Sequence, residues 1–79
     1  MSDLHVFPLR LWPGLDPEQE AVALLDAGQI DGTVRNARLS EVQAQVRARM
    51  ARAGIPADVA MRALSAWTDE VLGAEQAEL

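Results

Sequence analysis

Two amphipathic runs joined by Gly54-Ile55-Pro56 constrain this chain more than any other feature. The first places Leu39, Val42, Val46, Met50 and Ala53 at steps of 3, 4, 4 and 3, and the second places Ala60, Leu64, Trp67 and Val71 at steps of 4, 3 and 4. Such steps keep side chains on one face of an α-helix, so each run carries an apolar stripe that must be buried. A glycine just past one helix and a proline at the start of the next make a sharp stop and restart. The connection is short, which predicts an antiparallel pair.

A further helix is signalled upstream. Asp16 is placed as an N-cap, Pro17 as the first helical residue, and Glu18 and Glu20 sit at the positive end of the dipole, with Gln19 three residues after the cap. Ala21, Val22, Leu24 and Leu25 supply its apolar side, and Gly28 reads as its stop. Ser40 with Gln43 three residues on makes a capping-box pattern for the next helix. The expectation is an all-α fold: a small three-helix domain over 16–73, with helices at 16–27, 40–53 and 56–72, the last ended by Gly73. Residues 1–15 form an extended apolar arm, and 74–79 an acidic frayed tail. Asp31-Gly32 suggests a turn, and residues 29–38 are left unassigned.

The arm is apolar from Leu4 to Trp12, but Pro8 cannot donate to a sheet ladder, so the segment suits an edge or an irregular extended piece. Phe7, Leu9 and Leu11 share one side of an extended chain, and Trp12 follows. These four are the predicted protein interface, because large apolar side chains anchor interfaces. Trp67, by contrast, lies on the stripe of the third helix and reads as core.

With 79 residues and no cysteine, the chain has one core and no disulfide or thiol chemistry. The net charge of −5 is zoned. Residues 1–34 hold Arg10 against six carboxylates, residues 35–62 hold six arginines against Glu41 and Asp58, and residues 63–79 hold four carboxylates and no cation. Arg35, Arg38, Arg47, Arg49 and Arg52 are candidate contacts for an acidic partner or for phosphates. No apolar run is long enough to span a membrane. Met1-Ser2-Asp3 is acidic and Pro8 and Pro13 break the stretch that follows, so the start does not read as a secretory leader. A cytoplasmic protein is the expectation.

Material for catalysis is scarce. His5 is the single histidine, and lysine, tyrosine and cysteine are absent. Asp26 to Gly32 imitates the start of a calcium loop, yet Gly28 and Ile30 stand where oxygen ligands belong. Asp69 and Glu70 are adjacent and so point about 100° apart on a helix, which makes no acid–base pair. No enzyme activity, metal or cofactor is expected.

Over residues 6–54 the element order resembles that of ribbon-helix-helix repressors: an extended Leu9-Arg10-Leu11, a turn, a capped helix and a second helix. The resemblance implies a dimeric DNA-binding repressor. Pro8 interrupts the would-be ribbon, Arg10 is its only charged projection, and the third helix is additional. The reading preferred from the residues is a small non-catalytic protein-binding regulator or inhibitor of bacterial or phage type, resembling antitoxins, phage inhibitors or accessory subunits in its physical profile. Its partner would be a protein, with a second copy of the chain or nucleic acid as alternatives, and no membrane. A repressor using Arg35–Arg52, or a structural subunit of a larger assembly, is the other reading.

Overall fold

The computed structural model describes residues 9–78. It contains a 3-10 turn, Leu9–Leu11, followed by α1 (Pro17–Ile30), α2 (Gly32–Arg52) and α3 (Ala57–Glu78). The all-α three-helix expectation holds, and no strand occurs among the described residues.

The start of α1 follows its sequence signals. The Asp16 carboxylate accepts from the Glu18 N–H at 3.0 Å, and Pro17 occupies the first turn. Its end does not. The helix runs through Gly28 to Ile30, because a glycine inside a helix costs only about 1 kcal/mol and stops it only where the chain turns left-handed. The reversal occurs at Asp31, in extended geometry, whose N–H donates to the Ala27 carbonyl at 3.3 Å. The Asp31 carboxylate then accepts from the Thr33 N–H at 2.8 Å and caps α2. One residue closes α1 and opens α2.

Helix α2 therefore begins well before Ser40, and the predicted capping box is unused: Ser40 lies exposed inside the helix. The far end matches its signals. The Ile55 N–H donates to the Met50 carbonyl and the Gly54 N–H to the Ala51 carbonyl, at 3.1 and 3.0 Å, which is the Schellman arrangement. Gly54 carries the left-handed φ of 84° that this stop requires. Ile55 packs against the core beside it.

Helix α3 continues past Gly73 to Glu78, so residues 74–78 are helix and not a frayed tail. The continuation extends the buried stripe by another turn, from Val71 to Glu75. Cross-links fix the topology. Arg35 meets Glu75 and Gln43 donates to Thr68 Oγ1 at 3.1 Å, so partners fall along α3 as they rise along α2. Arg38 meets Glu20, with the same reversal between α1 and α2. The bundle runs up, down, up.

Trp67, Val71, Leu64 and Ala60 of α3 are buried, as are Val46 and Met50 of α2 and Leu24 and Ala21 of α1. Leu39 and Val42 are half-buried against them, whereas Ala53, at the end of its stripe, is exposed. Val22 is also exposed, contrary to expectation. It follows Ala21 by one residue, a rotation of about 100° that carries it off the buried side.

Candidate interaction surface

The N-terminal segment shows first what is unavailable. Leu9 is 3% exposed and Leu15 5%, both within the core, and Trp12 packs against it. The buried Trp67 Nε1–H donates to the Leu15 carbonyl at 2.9 Å. Arg49 donates to the Pro13 carbonyl at 2.9 Å and holds its guanidinium 5.4 Å from the Trp12 ring centroid. Arg10 pairs with Glu70 at 3.3 Å.

Residues 9–15 are a strap fastened to α2 and α3, not an extended arm, and this also removes the ribbon from the repressor resemblance. Of the four predicted interface residues, Leu9 belongs to the chain's own core, Trp12 is half-buried against it, Leu11 is 77% exposed, and Phe7 lies outside the described residues. The signal that was available in the sequence is the spacing of Leu9, Trp12 and Leu15, three apart. Trp67 adds another, since its buried N–H has to find an acceptor.

The five candidate arginines do not form one surface. Arg35 makes a two-pronged contact with Glu75, its Nε 2.9 Å from Oε2. The hydrogen bond from Arg35 holds the Glu75 carboxyl below its ordinary range against the opposing effect of burial. The same bond raises Arg35, while burial opposes it. Arg38 grips Glu20 likewise, at 2.9 and 3.1 Å, and its pKa is raised chiefly by that bond. Arg49 serves the strap.

Arg47 and Arg52 are exposed and have no ion-pair or hydrogen-bond partner among the described residues. Five residues apart, they are rotated by about 140° around α2 and do not share a face. Three of the five arginines are thus fixing helices or strap in place.

Among the described residues, the large hydrophobic side chains that the fold leaves exposed are Leu11, Val22, Ile30, Val34 and Met61. Ile30, the last residue of α1, is 79% exposed, and Val34, in the first turn of α2, is 43% exposed. They stand on either side of the Asp31 corner. Asp26, one helical turn before Ile30, is exposed, as is Asp31. An open groove of about 560 Å³ lies between the ends of α1 and α3, lined by Leu25, Gln29, Gln76 and Glu78 among others. Leaving residues 29–38 unassigned hid this surface from sequence reasoning.

Among the described residues, no group of three or more His, Cys, Asp or Glu side chains is arranged to hold a metal ion. No helix among them is long and apolar enough to cross a membrane. Comparison of the chain with protein-family models, with curated proteins and with solved structures gives no match.

Proposed function

We propose that this chain is a small non-catalytic protein-binding regulator or inhibitor, comparable in physical profile to an antitoxin, a phage inhibitor or an accessory subunit. The supporting observation is the exposure of Ile30 and Val34 at the α1–α2 corner, while the core of the same chain is closed by its own strap. Burying a fully exposed branched aliphatic side chain of this size is worth about 1.5–3 kcal/mol, and covering Ile30 and the partly exposed Val34 recovers a share of it. A partner that covers them gains that burial without opening the bundle. On this reading the interaction surface lies at a helical corner instead of the predicted arm, where Leu11 is the large apolar side chain left exposed.

The repressor reading has lost most of its arginines to internal contacts, and Arg47 and Arg52 alone offer little phosphate-neutralising capacity. Affinity capture from lysate, with and without nuclease, tests both readings. A stoichiometric protein retained by the wild type after nuclease, and lost by Ile30→Ser/Val34→Ser, is the expected result. Nucleic acid as the retained species, released by salt and by Arg47→Ala/Arg52→Ala, would replace the regulator with the repressor.

A further inference from the structure

Charge at the α1–α2 corner identifies the kind of partner, given the protein-binding reading above. Among the described residues, both cations near it are neutralised within the chain, Arg35 by Glu75 and Arg38 by Glu20. The exposed carboxylates Asp26, Asp31 and Glu78 have no ion-pair partner among the described residues. Helices α1 and α3 both end here while only α2 begins, so two negative dipole ends face one positive end. The unpaired cations Arg47 and Arg52 lie toward the α2–α3 turn, at the other end of the bundle.

We infer that the corner formed by Ile30 and Val34 docks a basic amphipathic helix, whose aliphatic side covers these two residues and whose Lys or Arg side chains meet Asp26 and Glu78. Charge complementarity selects this occupant: an acidic segment would bring like charges together at an end where no cation among the described residues is free. In helix-in-groove docking the docked helix presents aliphatic anchors one turn apart, and the open groove lined by Gln29 and Gln76 gives such a helix room to extend.

The test uses the whole chain, labelled for NMR, and two model peptides of helical period, one of leucine and lysine and one of leucine and glutamate. The lysine peptide is expected to shift the amide signals of residues 26–34, with affinity falling as salt shortens the screening length toward about 3 Å at 1 M. Ile30→Ser/Val34→Ser and Asp26→Lys should each weaken it by about tenfold or more, a loss of about 1.4 kcal/mol or more. Met61→Ser, which removes an equally exposed apolar side chain near the α2–α3 turn, should not.

Preferential binding of the glutamate peptide at the corner would overturn the partner's charge and leave a protein-binding surface in place. Shifts spread over the molecule, or none at residues 30 and 34 with either peptide, would overturn the docking site. The capture experiment judges the wider reading separately.

Discussion

Arg35 and Glu75, forty residues apart in sequence, meet through two hydrogen bonds where α2 begins and α3 approaches its end. The pair ties the last turns of α3, beyond Gly73, to the first turns of α2. Glu75 is buried, so removing its charge would leave the half-buried Arg35 guanidinium without its charge partner. Glu75→Gln is expected to destabilise the chain by about 1.5–3 kcal/mol, the range for hydrogen bonds to charged groups, read from the midpoint of urea unfolding at neutral pH.

The same pair sets a pH dependence. Because the folded-state pKa of Glu75 is depressed by Arg35, its contribution is complete above the ordinary carboxylate range and is lost as pH falls through the lower, folded value. Wild type and Glu75→Gln should therefore differ most near neutrality and converge in acid. Unfolding curves collected down the acid series measure this directly, and a gap that widened on acidification would contradict the assignment.

Asp31 caps α2 and donates the last backbone bond of α1, whereas Ser40 sits in mid-helix. Asp31→Ala should cost about 0.5–2 kcal/mol, as loss of an N-cap does. Ser40→Ala should fall within about 0.5 kcal/mol of neutral. The reverse order in thermal melts would restore the predicted capping box.

Legibility along the chain follows how local each determinant is. The stop at Gly54 and the start at Asp16 were readable because each is decided within a few residues, and the α3 stripe because its period is intrinsic to the helix. Gly28 and Gly73 misled, since a glycine ends a helix only where the chain needs the left-handed turn, and neither position has a positive φ. The uses of Arg35, Arg38 and Arg49 were hidden. Their partners Glu75, Glu20 and the Pro13 carbonyl are remote in sequence and come close only once the helices are packed. The exposed corner at Ile30 and Val34 was hidden with them, because assigning α2 from Ser40 left those residues without a face.

Leu9 and Leu11 separate a strap from an arm. Leu9 is enclosed by the core and Leu11 is open to solvent. Leu9→Ala should destabilise by about 2–5 kcal/mol, the range for leaving a cavity where a buried leucine stood, while Leu11→Ala should stay within about 0.5 kcal/mol. Chemical denaturation of the two variants side by side checks this, and equal, small effects would return residues 9–12 to the status of a free arm.

Two glycines should respond to alanine with opposite signs. At Gly54 the φ of 84° places an alanine Cβ in the left-handed region, although no neighbouring atom obstructs it, so Gly54→Ala is expected to cost about 1–2 kcal/mol. At Gly73 the backbone is helical and the space is equally open. Gly73→Ala should therefore stabilise by about 0.4–1 kcal/mol, chiefly by restricting the unfolded chain. Melting temperatures should move down for the first and up for the second. The second result also bears on α3 beyond Gly73: a fraying end would gain little from alanine, whereas a helix held by Glu75 to α2 gains the full effect.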